Sequence, residues 1–459
     1  MPEFDLLVLG GGTGNLVASE ATKTCEDVAL VERGPLGGTC LNRGCNPSKK
    51  LIHRANLVQT VQQAERHGIE ATVEAIHFES IVEDVREIIT ETAEAKAERA
   101  RESDDITLYD CEGRFVDERT VEVAGDERLT AETVVLAGGS RPMVPDPIEG
   151  TDETDFLTSD DALWLSERPD ALLIVGAGYI AAELSHFFAG MGSDVTIVGR
   201  SDRLLDREDA DIADHVTKVY RDRHDLYLGY SVSAISESDA GKLVTAENKS
   251  GEEIEVSGDR LLFATGRQPN SDTWNVSAAG IETNEKGYVE TDEYLRTSAD
   301  GVYAMGDIAG NYLFKHSGDK EAEYVIMNAV RGEEKEVAYP GMAHAVFGSP
   351  QVASLGQTED ELEDQEYVVG CFAYDDAALG TVLDHQGGFA KVLVGEDDAI
   401  LGCHIVGPEA STLIHEVSTA VSSGANARTL AETIHIHPAL SEVVQGAFRD
   451  ALGVTPTGI

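Results

Sequence analysis

The chain has few basic residues: 35 Lys and Arg stand against 84 Asp and Glu, which gives a formal net charge of −49 over 459 residues. A surface this anionic repels nucleic acids and acidic membranes, so neither is an expected partner. The hydrophobic share of 42% and the strong apolar runs exclude a disordered acidic tail. We interpret the charge as a halophilic adaptation, because at molar salt the Debye length falls to roughly 3 Å and surface repulsion is screened.

Cysteine and long apolar runs are also scarce. Six cysteines in a chain of this length do not make a disulfide scaffold. No apolar run approaches the ~20 residues that a membrane span needs, and residues 4–9 read as a buried strand where a secretory signal would lie. These absences predict a cytoplasmic protein without a membrane span. The length predicts three or four modules of ~100–200 residues each.

Two glycine-rich turns interrupt apolar strands at distant points of the chain. The first spans residues 10–15, between an apolar strand at 6–9 and a strand that ends at Glu32. The second begins at residue 176, between strands at 172–175 and 195–198. Each arrangement is the βαβ fingerprint of a dinucleotide site. The sequence therefore predicts an internal repeat that binds two dinucleotides.

The turn residues themselves suit phosphate binding. Glycines allow the backbone to approach a pyrophosphate at a helix N-terminus, and the predicted cofactor-binding glycines are Gly10, Gly12 and Gly14 in the first turn and Gly176 and Gly178 in the second. Because asparagine follows at residue 15, where a third glycine is usual, we expect looser packing of the helix on the strand.

The strand ends after the two turns differ in charge. Glu32 ends the strand of the first module and would bond a ribose hydroxyl. The second module has Gly199 at this place, followed by Arg200 and Arg203. Arginine suits a 2′-phosphate, and a charge-assisted contact contributes about 1.5–3 kcal/mol. The second site is therefore predicted to prefer NADP over NAD.

Two cysteines, Cys40 and Cys45, are separated by four residues within the segment 37–49. We expect these thiols to close on one helical turn and to cycle between disulfide and dithiol without refolding, which favours a redox enzyme. The other four cysteines form no second pair, so a zinc site is not expected and all four are interpreted as packing residues. They are Cys25, Cys111, Cys371 and Cys403.

With these features in place, the chain resembles the class I pyridine nucleotide–disulfide oxidoreductases, the group containing glutathione, mycothione and dihydrolipoamide reductases. The resemblance covers essentially the whole length. It is most specific in residues 38–49, in the turn at residues 304–307, and in His437-Pro438 followed by Ser441-Glu442.

The resemblance implies an α/β fold with two Rossmann-like dinucleotide-binding domains and a C-terminal α+β dimerisation domain. The expected bounds are 1–150 and 271–340 for the two parts of an FAD-binding domain, 151–270 for the NAD(P)-binding domain and 341–459 for the interface domain. It also implies FAD and NADP as cofactors, and an antiparallel homodimer whose active site is shared between subunits.

Family membership would give the residues near the flavin specific roles. It assigns Cys45 to the flavin-facing, charge-transfer thiol and Cys40 to the interchange thiol that attacks the substrate. A flavin, a helix N-terminus and Lys49 would stabilise a thiolate at this place. Lys49 and Glu183 resemble an ion pair near flavin N5, and Asp307 resembles the carboxylate that bonds the ribityl chain.

Further roles concern the nicotinamide and the proton. Tyr179 resembles the ring that shields the flavin until the nicotinamide arrives, and Arg267, next to Gly266, resembles another contact with that cofactor. Thiol–disulfide exchange needs a group that titrates near neutrality, and His437, oriented by Glu442, would exchange protons with the cysteine pair of the other subunit. The neighbouring His435 is expected to point elsewhere.

The predicted function is an NADPH-using reductase of a low-molecular-weight disulfide, with bis-γ-glutamylcystine as the preferred substrate. Dihydrolipoamide dehydrogenase, the NAD-dependent E3 component, is the alternative, because residues 435–442 are close to its terminal motif. Segments 12–15, 314–316 and 343–347 instead look like mycothione reductase. Mercuric reductase and the large thioredoxin reductases are disfavoured, since residues 451–459 contain no thiol pair. A non-catalytic flavoprotein subunit is a further alternative from another class.

Overall fold

The computed structural model describes residues 2–25, 27–239, 241–362, 365–383 and 387–455. The end of the expected interface domain, residues 456–459, lies outside the described residues. The N-terminal elements are β1 (Glu3–Leu9), α1 (Gly14–Ala21), β2 (Val28–Glu32), α2 (Gly38–Arg43), α3 (Cys45–Gln63), α4 (Phe78–Glu102), β3 (Ile106–Asp110), β4 (Gly113–Asp117), β5 (Thr120–Val123), β6 (Glu127–Leu136) and β7 (Ser140–Pro142).

A seven-stranded sheet organises this part of the chain, in the order β3-β2-β1-β6-β5-β4. Strands β3, β2, β1 and β6 run parallel, whereas β4, β5 and β6 form an antiparallel meander. A later strand, β16 (Val302–Ala304), pairs in parallel with the end of β6. The chain therefore returns to the first sheet after the second nucleotide module.

Both faces of β1 are buried, which explains its continuous apolar run. Leu7 and Leu9 pack into a core with β4 and β5, while Leu6 and Val8 pack into another core under α1. Parallel strands covered on both faces need apolar side chains at every position rather than in alternation.

The second module has a four-stranded parallel sheet, in the order β10-β9-β8-β14, and a three-stranded antiparallel sheet, β11-β12-β13. The ribbon of β7 and β15 links it to the first module. Its elements are α5 (Ser159–Ala162), β8 (Ala171–Val175), α6 (Tyr179–Gly190), β9 (Asp194–Gly199), α7 (Ala210–Arg221), β10 (Asp225–Leu228), β11 (Tyr230–Ser238), β12 (Gly241–Asn248), β13 (Glu253–Gly258), β14 (Arg260–Phe263) and β15 (Arg267–Pro269).

The C-terminal part is an antiparallel five-stranded sheet, in the order β17-β18-β21-β20-β19, with helices packed on it. None of the helices in the described ranges is long and apolar enough to cross a membrane. The elements that complete the chain are α8 (Lys315–Val325), β17 (Ala343–Val346), β18 (Val352–Gly356), β19 (Val368–Ala373), α9 (Ala378–Val382), β20 (Phe389–Val394), β21 (Ile400–Val406), α10 (Ala410–Ser422), α11 (Ala427–Glu432) and α12 (Ser441–Ala451).

A buried lysine fixes the second module to the C-terminal sheet. Lys391 on β20 is 2% exposed, and its Nζ lies 2.8 Å from Asp209 Oδ1 and 2.6 Å from Asp211 Oδ2 at the start of α7. It also bonds Glu359. The three carboxylates are close enough together to hold a metal ion, but the ammonium group already occupies the cation position between them.

Candidate functional site

The two glycine turns have the same geometry. Gly10 has φ +106°, and a Cβ there would lie 2.2 Å from the Ala137 carbonyl oxygen; Gly176 has φ +124°, and a Cβ would lie 2.3 Å from the Ala264 carbonyl oxygen. In each module the turn therefore crosses close to the end of a neighbouring parallel strand, and only glycine fits there. This equivalence is the internal repeat in three dimensions.

The packing of α1 corrects the expectation drawn from Asn15. A Cβ on Gly14 would lie 2.8 Å from Val8 Cγ1, so the helix packs closely on β1, and the expected looser packing was wrong. Gly14 supplies the close contact one position earlier than the usual third glycine. It is buried and does not line the cavity, whereas Gly10 and Gly12 do.

A cavity of about 3290 Å³ joins both glycine turns to the cysteine pair. Ordinary ligand pockets have roughly 300–1,000 Å³, so this cavity has room for more than one large ligand. Beside the first glycine turn the cavity is lined by closely packed backbone. A Cβ on Gly38, at the start of α2, would lie 2.6 Å from Gly12 Cα. Glu32 lines the same end and accepts hydrogen bonds from the amides of Gly11 and Gly34. These residues fit the pyrophosphate and ribose of FAD.

Cys40 and Cys45 lie on two helices, not on one helical turn as expected. Cys40 is on α2 and Cys45 is the first residue of α3, with Gly44 between the helices. A Cβ on Gly44 would lie 2.9 Å from the Thr39 carbonyl oxygen, so the break between the helices needs glycine. The N-terminus of the 19-residue α3 therefore meets Cys45, where its dipole favours a negative charge.

The two thiols have opposite pKa shifts. A hydrogen bond from Cys40 lowers the pKa of Cys45, burial opposes this, and the charge of Lys49 lowers it further. The same hydrogen bond raises the pKa of Cys40, and burial raises it too. In the reduced pair Cys45 is therefore the thiolate and Cys40 the thiol.

The predicted partners Lys49 and Glu183 are paired. Lys49 Nζ lies 2.8 Å and 2.6 Å from the two carboxylate oxygens of Glu183, and the ammonium lies over the ring of Phe347, 4.9 Å from its centroid. Glu183 also accepts the amide of Phe347 at 3.0 Å. One carboxylate thus joins α3, α6 and the C-terminal sheet beside the cysteines.

Asp307 and Arg267 meet through Ser140. The Ser140 hydroxyl donates to Asp307 Oδ2 at 2.5 Å, and Arg267 Nε donates to the Ser140 hydroxyl at 2.8 Å. Asp307 is in a 3₁₀ turn, Gly306–Ile308, that follows β16. Gly266, Arg267 and Asp307, which were predicted to contact the cofactors, all line the cavity.

The structure separates the two arginines that were predicted to bind a 2′-phosphate. Arg200 is exposed at the end of β9 and lines the cavity. Arg203 does not line it, because its guanidinium faces α7, 3.3 Å from the Ala210 carbonyl oxygen and 3.4 Å from Asp214 Oδ1. Arg207, which the sequence reading missed, lines the cavity instead.

The end of β9 lacks the usual carboxylate but has another one nearby. A Cβ on Gly199 would lie 2.7 Å from Ala177 Cβ, which leaves no room for the carboxylate side chain typical of NAD sites. A different carboxylate, Asp206, lines the cavity and accepts the Ser201 hydroxyl at 2.5 Å.

His437 and Glu442 pair with each other away from the cavity. His437 Nδ1 lies 2.9 Å from Glu442 Oε1, and the other oxygen of Glu442 accepts the amide of Ala439. The His437 side chain is 60% exposed, and neither residue lines the cavity. His435 turns the other way and pairs with Glu416 at 2.9 Å.

Sequence reasoning gave no role to three residues beside Tyr179. His344 on β17 donates to Glu208 at 2.8 Å, and the Ser354 hydroxyl on β18 donates to the other oxygen of Glu208 at 2.6 Å. No local pattern marks Glu208 among 84 acidic residues, and only the fold brings it to β17.

Two protein-family profiles match consecutive parts of this chain. The profile described as pyridine nucleotide-disulphide oxidoreductase matches residues 4–334, and the profile of the dimerisation domain of that family matches residues 342–448.

Similar proteins of known name cover nearly the whole chain. Dihydrolipoyl dehydrogenase 3 of Haloarcula marismortui is 35% identical over 462 residues, 97% of this chain and 96% of that protein. Mycothione reductase of Mycobacterium tuberculosis is 34% identical over 461 residues, 97% of this chain and 99% of that protein. The structure of the HOCl-induced flavoprotein disulfide reductase RclA from Escherichia coli superposes with a TM-score of 0.86 at 27% identity, covering 97% of this chain and 99% of that one.

Proposed function

Because the chain belongs to the pyridine nucleotide-disulphide oxidoreductase family, we propose that it reduces a low-molecular-weight disulfide bearing carboxylates, such as bis-γ-glutamylcystine, with NADPH. The family resemblance and the α/β fold class are confirmed, and the protein is a flavoprotein disulfide oxidoreductase. The dimerisation domain supports a homodimer. When bound, FAD would accept a hydride and pass two electrons towards the cysteine pair.

The charge of the cavity carries the proposal of an anionic substrate. Among the described residues that line it, thirteen are Lys or Arg and ten are Asp or Glu, whereas the whole chain has 35 and 84. The cavity is thus positive inside a strongly negative protein, and such a field concentrates anions, the two dinucleotides as well as an anionic substrate. Lys50 and Arg54, one helical turn apart on α3, and Lys315 on α8 line it together with Cys40 and Cys45.

The thiol chemistry follows from the pKa order of the pair. Cys40 would attack one sulfur of the substrate, form a mixed disulfide and release the first thiolate. Cys45, already a thiolate, would then attack Cys40 and release the second, which regenerates the Cys40–Cys45 disulfide. Because the pKa of Cys40 is raised, the first step needs a base, and His437 with Glu442 from a second copy of the chain is the proposed source.

NADPH is the proposed reductant. Arg200 and Arg207 line the cavity near the end of β9, and the packing of Gly199 excludes the carboxylate that would select NADH. Asp206 at the same place reduces the net positive charge. We therefore propose a preference for NADPH that is modest rather than absolute.

Dihydrolipoamide dehydrogenase is the second candidate. Its support is the similarity to dihydrolipoyl dehydrogenases of several halophilic archaea at 35–36% identity. Lipoamide is uncharged, so the positive cavity offers it no electrostatic advantage, and this is the property that separates the two candidates.

The deciding experiment is a panel of disulfides assayed in molar KCl with NADPH and NADH, including bis-γ-glutamylcystine and lipoamide. We expect the highest kcat/KM with the carboxylate-bearing disulfide, and Lys50→Gln with Arg54→Gln should raise its KM several-fold without changing that of lipoamide. The exposed Lys23→Gln is the control, since Lys23 lies outside the cavity and pairs with Glu20. A preference for lipoamide and NADH would establish the second candidate instead.

A further inference from the structure

The side chain of Tyr179 is held by residues of two other elements. It is the first residue of α6, directly after the glycine turn of the second module, and it lines the cavity one helical turn before Glu183. Its ring stacks on His344 of β17, with centroids 5.8 Å apart and planes at 24°, and on Phe314, at 6.4 Å and 20°. Phe314 in turn stacks on His344 at 5.3 Å and 10°.

The hydroxyl of Tyr179 belongs to a hydrogen-bond network centred on Glu208. The hydroxyl lies 3.4 Å from His344 Nε2, and that nitrogen donates to Glu208 at 2.8 Å. Ser354, the direct cross-strand partner of His344, donates to the other carboxylate oxygen at 2.6 Å. Burial acts to raise the pKa of Glu208, but the hydrogen bonds from His344, Ser354 and Tyr179 hold it below its ordinary value. The Glu208 side chain is 1% exposed.

We propose that Glu208 and His344 are positioning residues that anchor Tyr179 across the nicotinamide end of the cavity, so that a nicotinamide ring enters only when this anchor releases the phenol. The proposal rests on the proposed function, because it takes the second module to bind a nicotinamide dinucleotide. The role of Tyr179 as a shield comes from the family resemblance; the anchor comes from this structure alone.

The anchor has a thermodynamic consequence. If only a small fraction of the molecules has Tyr179 in the open position, the apparent affinity for the nicotinamide dinucleotide equals the intrinsic affinity multiplied by that fraction. Loosening one hydrogen bond of about 1 kcal/mol raises the population, and therefore the affinity, about fivefold. A ligand that fills the adenosine half of the site without a nicotinamide gains nothing from opening.

The test measures equilibrium binding of NADP⁺ and of 2′-phospho-ADP-ribose to the flavin-loaded dimer by calorimetry in molar KCl. Tyr179→Phe and Glu208→Gln should each tighten NADP⁺ binding about fivefold, the double variant should bind no tighter than either single variant, and 2′-phospho-ADP-ribose should bind all four proteins equally. Glu359→Gln is the matched control, because it neutralises a carboxylate of the C-terminal part that bonds Lys391 rather than Tyr179 or His344, and it should leave both affinities unchanged.

Unchanged NADP⁺ affinity in Tyr179→Phe, additive effects in the double variant, or an equal change for 2′-phospho-ADP-ribose would each overturn the proposal. Tyr179→Phe removes only a hydroxyl, so the test does not depend on the folding of the Glu208 variant. Binding needs no disulfide, so an error in the proposed substrate leaves the result unaffected. If NAD⁺ binds more tightly than NADP⁺, the proposed nucleotide preference fails, and the same comparison with NAD⁺ and ADP-ribose still decides the anchor.

Discussion

Lys49 and Glu183 form an ion pair that joins α3 to α6, with Nζ 2.6 Å from Oε2. The two charges act in opposite directions on Cys45, because Lys49 lowers the pKa of its thiol and Glu183 raises it. The hydrogen bond from Cys40 remains the largest influence on this pKa, and the ion pair adjusts it further, beyond linking the modules.

Because the two charges act in opposite directions, substitutions that remove them are predicted to shift the pKa of Cys45 in opposite directions. Lys49→Met should raise the pH midpoint for alkylation of Cys45 in the reduced protein, and Glu183→Gln should lower it, each by about one pH unit. Alkylation of Cys45 and of Cys40 can be followed separately by peptide mass spectrometry across pH. A shift of both variants in the same direction would show that the substitutions act through local structure and not through charge.

The roles of the two thiols give a second prediction. Cys40→Ser should abolish turnover of disulfides, because no thiol remains to form the mixed disulfide, while the flavin is still reduced by NADPH. Stopped-flow absorbance measures the flavin step, and steady-state NADPH consumption measures turnover. Cys371→Ser is the control, since this exposed thiol does not line the cavity. Equal loss of both half-reactions in Cys40→Ser would contradict the assignment.

The strands and glycine turns could be predicted from the sequence because their determinants are local. Gly10 and Gly176 need a positive φ, and the strands around them are apolar runs between turns. The placement of Cys40 and Cys45 on separate helices could not be predicted, because the break at Gly44 depends on the crowded Thr39 carbonyl oxygen. Spacing alone does not show such a break.

In the candidate site, too, some residues could be predicted from the sequence and others could not. Lys49 and Glu183 lie 134 positions apart, and only the family resemblance, not a local pattern, linked them. Arg203 was predicted from proximity in sequence, but at this strand end Arg203 faces α7 and Arg207 faces the cavity. The direction in which a side chain points from a turn depends on the backbone conformation of that turn, which proximity in sequence does not show. Glu208 and His344 lie 136 positions apart and meet through β17. Glu208 carried no sequence signal, and His344 stood out only as part of segment 343–347, without a role of its own.

The separation of the arginines gives a third prediction, with a built-in control. Arg200→Glu should lower the ratio of kcat/KM for NADPH to that for NADH about ten- to hundredfold, because a charge-assisted contact of about 1.5–3 kcal/mol becomes a repulsion. Arg203→Glu should leave the ratio unchanged, since Arg203 faces Asp214 on α7. Equal effects of the two substitutions would mean that the nucleotide senses only the general charge of the loop.

Two buried histidines, His186 and His224, give a prediction about acid stability. Burial, with a smaller contribution from the charge of Arg223, lowers the pKa of each to about 4. In the unfolded chain a histidine titrates near 6.5, so between pH 6.5 and 4 the unfolded state binds protons that the folded state does not. The stability that these residues contribute is therefore complete above pH 6.5 and is lost as the pH falls towards 4, by roughly 2 to 3 kcal/mol for each histidine.

The measurement is the apparent unfolding temperature in molar KCl at several pH values between 7.5 and 4.5. His224→Phe should lose less stability on acidification than the unaltered protein, because it removes one of the buried histidines that must stay neutral. The new ring would lie where His224 now contacts Tyr220 at 5.4 Å between centroids. His67→Gln is the control, because His67 is exposed and its substitution should leave the pH profile unchanged. If His224→Phe follows the same profile as the unaltered protein, other groups, such as the carboxylates around Lys391, govern the acid transition.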